Sequence, residues 1–190
     1  MNAPVSLPPT LVFIVNGFPR AGKDTLTQFM DKALTAKGYT CSHFSSIDPV
    51  RNVLSRLGIS TKDKTAADRK LLATIGAAVE EHSNYRSKCC LDHVQWAALT
   101  TKKPVVFLMI REPEVIEWVK TKLEDRGHMV FRLWVESIRQ EAPTNPTDRS
   151  AGQMPFDIAV MNNGTLQDLA QEAQALVNLI HMRREVRHAV

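Results

Sequence analysis

Residues 11–15, Leu-Val-Phe-Ile-Val, lead almost directly into Gly17-Phe18-Pro19-Arg20-Ala21-Gly22-Lys23-Asp24-Thr25, and this junction constrains the chain more than any other feature. A continuous apolar run with β-branched residues suits a central strand of a parallel sheet, covered on both faces. Beyond the loop, Leu26, Phe29, Met30 and Ala33 fall on one helical face, and Gly38 is placed to end the helix. The segment is therefore expected to form a strand, a glycine-rich loop and a helix in immediate succession. Gly17, then Gly22 after four intervening residues, then Lys23 is the spacing of a phosphate-binding loop, or P-loop. Glycines let the backbone curl so that successive N–H groups face phosphate oxygens, and the helix beginning near Gly22 adds its positive end. Lys23 supplies a mobile cation for the β and γ phosphates of a nucleoside triphosphate.

The rest of the chain alternates in the same manner. A shorter strand is expected over 39–44 and a short helix over 49–57, closed by Gly58. Residues 66–99 carry a helical pattern with no strand signal, read as two helices broken near Ser83-Asn84. A second strong strand covers 105–110, a helix 114–123, and further strands 129–135 and 156–160. Thr165 starts the last helix, with Asp168 completing a capping box and Leu166, Leu169, Ala173, Leu176, Val177 and Ile180 as its apolar stripe. Strands and helices alternating at these lengths predict an α/β three-layer sandwich with a mostly parallel five-stranded sheet, whose ligand sits beyond the carboxyl ends of the strands. We read residues 1–190 as one domain, with a helical substrate-covering region about 60–100 and a lid loop about 139–155, where prolines and a glycine cluster.

Composition narrows the function. The formal charge of +4 suits an anionic small ligand but is too small and scattered for stable nucleic-acid binding. The longest purely apolar run, 105–110, is far shorter than a membrane span, and the proline-bearing first ten residues do not resemble a signal peptide. Cys41, Cys89 and Cys90 lack metal-ligand spacing and are expected as reduced thiols of a cytoplasmic protein. The histidines at 43, 82, 93 and 128 show no partner spacing and are expected to be structural, and Trp96, Trp118 and Trp134 fall at core-like positions.

Asp24 stands where Ser or Thr usually follows the P-loop lysine, with Thr25 one position later. Two readings of Asp24 stay open: a carboxylate that orients Mg²⁺ or takes a proton from the incoming substrate, or an acidic first-turn residue favoured by the helix dipole.

The loop ending Lys23-Asp24-Thr25 resembles that of phage-type deoxynucleoside monophosphate kinases. Three further segments resemble that family in the same order: Asp48-Pro49-Val50-Arg51, Ile110-Arg111-Glu112-Pro113-Glu114, and 157–166 with its Asn162-Asn163-Gly164-Thr165-Leu166 turn. Together they span about residues 11–170. The resemblance implies a P-loop fold of the nucleoside monophosphate kinase type and transfer of the ATP γ-phosphate, with Mg²⁺, to a (deoxy)nucleoside monophosphate. Gly17, Arg20, Ala21, Gly22, Lys23, Asp24 and Thr25 would hold the donor, with Asn162 and Asn163 either lining the adenine side or simply making the turn. Thr25 and Asp24 would hold the metal. Arg111, at a strand's carboxyl end, is placed to grip the acceptor phosphate, with Asp48, Arg51 and Arg69 as further acceptor-side candidates. Arg149 is the preferred lid arginine, with Arg126, Arg132 and Arg139 as competitors, so that Lys23, Asp24, Arg111 and Arg149 form the expected catalytic set. Where the family commonly has an acidic residue two positions before the strand-end arginine, this chain has Met109. Asp48, Glu112 or Asp24 would have to replace it. The same loop ending occurs in animal-type phosphomevalonate kinases, so two alternatives stand: a kinase for another small phosphorylated acceptor, or a nucleotide-binding regulatory protein that does not transfer. Small-molecule nucleotides are the expected partners. A homodimer is compatible with the sequence but not required by it.

Overall fold

The computed structural model describes residues 9–63, 65–140, 152 and 154–188, the last six as backbone. Its elements in chain order are β1 (Leu11–Asn16), α1 (Lys23–Thr35), β2 (Thr40–Ser45), α2 (Asp48–Arg56), α3 (Ala66–Ser83), α4 (Tyr85–Thr100), β3 (Pro104–Met109), α5 (Pro113–Glu124), β4 (Met129–Glu136), β5 (Ile158–Met161) and α6 (Leu166–His188). The five strands form one sheet in the order β2-β3-β1-β4-β5, and every neighbouring pair is parallel. All carboxyl ends of the strands therefore lie along one edge.

Strand alternation builds a core on each face of the sheet. Leu11, Phe13 and Val15 of β1 join Phe107, Leu133 and Val135 under α1 and α6, where Leu26, Met30, Leu34, Ala173 and Val177 are buried. Val12 and Ile14 face the other way, joining Val106, Leu108 and Ile110 under α4 and α5. Both faces of β1 are thus covered, which is why it is apolar from Leu11 to Val15 before Asn16 ends it. A satellite cluster of Val50, Leu54 and Leu72 joins α2 to α3. The break between α3 and α4 falls at Asn84, whose φ of 52° is left-handed, a conformation asparagine tolerates better than most residues. Thr65 and Asp68 cap α3 reciprocally, and Thr165 and Asp168 form the capping box expected at α6.

Three expectations are corrected. The last strand begins at Ile158, two residues late. Pro155 brings no N–H, and the Asp157 carboxylate accepts from both the Arg132 guanidinium and its backbone N–H, so the ladder starts one residue further on. Trp96 is 55% exposed, because α4 turns Cys90, Leu91, Val94, Ala97 and Ala98 inward and places Trp96 on the other side. Leu166 opens α6 before the helix reaches the sheet and is exposed, while the remainder of its stripe packs as expected. Among the described residues no helix is long and apolar enough to cross a membrane.

Candidate functional site

The site is assembled at the carboxyl edge of the sheet, starting with the loop after β1. Gly17 has φ +149° and Gly22 φ +93°, conformations that L side chains rarely adopt. A Cβ on Gly17 would collide with the Val135 carbonyl oxygen, and one on Gly22 with the Asn162 amide nitrogen. Between them Arg20 is itself left-handed, with φ 60°. The loop is thus wound tightly against β4 and the loop after β5. Gly22 is the N-cap of α1 and brings no side chain to it, so the first-turn N–H groups are left for an anion.

Lys23 Nζ donates to the carbonyls of Gly17 (2.7 Å) and Phe18 (2.8 Å), so the ammonium lies over the mouth of its own loop. Asn162, from the loop after β5, supports the opposite side by donating from Nδ2 to the Ala21 carbonyl (3.0 Å). Phe18 meets Trp134 edge-on at 5.2 Å, and Trp134 in turn packs at a tilt against Phe156. Asp24 is exposed on the first turn and Thr25 half-buried beside it. Among these residues the donor set is oxygen only, the kind Mg²⁺ takes.

Arg111 lies two residues beyond β3, with its side chain exposed at the same edge as the P-loop. Its carbonyl accepts from Asn16 Nδ2 (3.2 Å), while Asn16 Oδ1 accepts from the Gly17 N–H (2.8 Å). Asp48 and Arg51 pair with each other at 3.0 Å, and Asp48 also accepts from the Ser45 N–H. Both side chains are near 40% exposed, so the pair is weak and Arg51 is available to an incoming anion. Arg69 is exposed on the first turn of α3. Two of the competing arginines are engaged elsewhere, and Arg126 is exposed in the turn after α5. Arg132 is clamped by Asp157 and Glu117, while Arg139 donates to the carbonyl of Gly164 (2.9 Å), and Asn163 Oδ1 accepts from the Ile138 N–H. Arg149 lies outside the described residues, as does most of the expected lid loop. Burial, with Asp31 adding to it, pushes the Cys41 thiol up to about 12, and burial also raises Cys90, so neither is a ready nucleophile.

Sequence reasoning missed two residues. One is Asn16, a buried polar strand end. The other is Arg86, which is 3% exposed and pairs with Glu112 at 2.9 Å and Glu80 at 3.8 Å. Glu80 also takes the N–H groups of Arg86 and Ser87 and the Ser87 hydroxyl. The signal was present: Arg86 lies on the same inward stripe of α4 as Cys90, Val94 and Ala97. Glu112, a candidate to replace the carboxylate absent at Met109, is thus committed to a buried arginine.

The parallel sheet in the order 2-3-1-4-5, with a glycine-rich loop between β1 and α1, is an α/β fold that solved kinase structures share. Two solved structures of the APS kinase of Mycobacterium tuberculosis match it. One, a cysteine-to-alanine mutant, has a TM-score of 0.53 and 18% identity, covering 90% of this chain and 99% of that one. The other, in complex with AMPPNP and APS, has a TM-score of 0.52 and 15% identity over the same shares. At these identities the likeness establishes the fold. No family model matches the sequence, and no curated protein does.

Proposed function

We propose that the protein is an ATP-dependent kinase that transfers the γ-phosphate to a nucleoside monophosphate, with a deoxynucleotide as the favoured acceptor. The observation that carries this reading is the P-loop: two glycines without room for a Cβ, an uncapped helix N-terminus and the Lys23 ammonium held over the loop mouth. Phosphoryl transfer asks little covalent chemistry of a protein, so catalysis rests on positioning and on cations placed where charge develops. In this reading Lys23 leaves the Gly17 and Phe18 carbonyls for the β and γ phosphates when the donor arrives, and Arg20 joins it. Thr25 and Asp24 would hold Mg²⁺, which neutralises phosphate charge when bound. Arg111 grips the acceptor phosphate, with Arg51 and Arg69 behind it. The AMPPNP complex of the mycobacterial APS kinase, a structural neighbour, supports ATP as the donor type.

A second reading, nucleotide binding without transfer, is favoured by one observation. Met109 stands where a carboxylate is expected, and Glu112 is already paired with Arg86. A kinase for a different phosphorylated acceptor uses the same loop. Product analysis with γ-labelled ATP and a panel of NMPs, dNMPs and non-nucleotide monophosphates separates the three. Acceptor-dependent transfer is expected for at least one nucleotide, and Arg111→Met should raise the acceptor KM by about a hundredfold, the scale of a lost charge-assisted contact. Transfer to none of them, with ATP still bound, overturns the kinase reading for these acceptors.

A further inference from the structure

The donor loop and the acceptor arginine are joined by one side chain. Asn16 ends β1 at 1% exposure, and its amide spans two backbones: Oδ1 accepts from the Gly17 N–H at 2.8 Å, and Nδ2 donates to the Arg111 carbonyl at 3.2 Å. β1 and β3 are parallel neighbours whose ladder pairs Val15 with Met109, so Asn16 continues the connection past the last paired residues. Both loops begin where the regular pairing stops. The Gly17 N–H is consumed by Asn16 rather than offered to phosphate, which fixes the direction in which the loop leaves the strand. The Arg111 carbonyl is held by the other end of the same planar amide, which fixes the peptide plane that carries the Arg111 side chain. Because the amide is rigid and buried, the two ends move together.

We infer that Asn16 is a positioning residue that couples donor and acceptor binding, setting Arg111 in register with the phosphates on the P-loop. The inference rests on the kinase reading for its consequence in turnover, but the coupling itself is independent of the acceptor. Asn16→Asp is the informative variant. It keeps an oxygen for the Gly17 N–H and, once ionised, replaces the donor to Arg111 with an oxygen that repels that carbonyl, so it is assayed at about pH 8.5, where a buried carboxyl loses the proton that would restore the bond. Asn16→Leu removes both bonds while keeping the same branching at Cγ.

The test is a double-mutant cycle with Arg111→Met, read as separate KM values for MgATP and for the acceptor. Asn16→Asp is expected to raise the acceptor KM about tenfold, the scale of one hydrogen bond, with the MgATP KM changed by less than about threefold. In the Arg111→Met background the same substitution should add less than about twofold, since residues acting through one another are non-additive. Equal changes in both KM values, or an undiminished effect without Arg111, would mean a merely structural or charge-repulsion role and would overturn the inference. If the wild type transfers phosphate to no acceptor, the kinase reading fails, and the coupling is still decided by NMR with AMPPNP. The Glu112 amide, which shares its peptide plane with the Arg111 carbonyl, should shift on AMPPNP binding in the wild type. In Asn16→Leu that response should vanish while AMPPNP still binds. An unchanged Glu112 response in that variant would overturn it.

Discussion

At the residue scale, the loop is defined as much by what its glycines exclude as by what Lys23 provides. Gly17→Ala places a methyl group against the Val135 carbonyl and asks an L residue to hold φ +149°. A left-handed or otherwise sparsely populated conformation costs about 1–3 kcal/mol, before any clash is relieved. This variant should therefore lower Tm and weaken AMPPNP binding together, measured by thermal melts with and without the nucleotide. Unchanged melting and affinity would mean that the loop is not wound as described. Gly17, Gly22 and Lys23 were legible in the sequence because their spacing is a direct record of backbone geometry. Asn16 was not. An asparagine at a strand end reads as a turn residue until a partner 95 positions away is known, and that partner is a backbone carbonyl with no sequence signature.

At the element scale, the helical region 66–100 is tied to the site by a buried charge cluster. Arg86 stands between Glu80 of α3 and Glu112 before α5, with Gly76 close beneath its guanidinium. Its Nε is buried without a hydrogen bond, so the cluster is not fully satisfied. Removing the cation alone strands two carboxylates, a change that costs about 3 kcal/mol even though a well-packed apolar replacement of the whole cluster need not. Arg86→Met should thus lower Tm by roughly 10 °C, at about 2–4 °C per kcal/mol for a chain of this size. The double replacement of Arg86 by Met and Glu112 by Leu, which leaves Glu80 its bonds to the Arg86 and Ser87 N–H groups, should recover part of that loss in the same calorimetric measurement. An Arg86→Met protein that melts like the wild type would show that the cluster is not a tie. Most elements were readable from periodicity, including the break between α3 and α4, because α4 buries a continuous stripe while α3 packs Leu71, Leu72, Ile75 and Val79 into the satellite cluster. The start of β5 and the face of Trp96 were not. Those depend on which side chain captures a backbone N–H and on how α4 is rolled against the sheet, and local patterns do not encode either.

At the scale of the whole molecule, the amino-terminal entry to the sheet gives the fold a pH dependence. His128 precedes β4 and is buried, and its Nδ1 accepts from the Thr10 N–H at 3.2 Å, which requires a neutral ring. Burial lowers its pKa, with the nearby Arg126 charge acting in the same direction. Burial lowers His93 as well. A histidine whose folded pKa lies below its unfolded value of about 6.5 leaves the unfolded chain holding more protons, so stability falls as pH drops through that value. Asp157 acts in the same direction at lower pH. Burial works upward on its carboxyl, but the hydrogen bonds from Arg132 hold it below the usual range. Tm should accordingly decline between about pH 7 and pH 5.5, and His128→Asn, which keeps an acceptor for Thr10 but does not titrate, should flatten that decline. A decline equally steep in the variant would assign it to other groups. The parallel sheet also explains why residues distant in the sequence converge: with every strand pointing the same way, the loops after β1, β2, β3, β4 and β5 share one edge. Acceptor-dependent chemistry at that edge is the central claim, and a coupled ADP-release assay with MgATP against NMPs and dNMPs tests it most directly. The account predicts ADP release that requires a nucleotide acceptor and falls by about 10²–10³-fold in Lys23→Ala, the scale of losing one preorganised charge-stabilising group. ADP release that ignores every acceptor, or that survives the loss of Lys23, would contradict it.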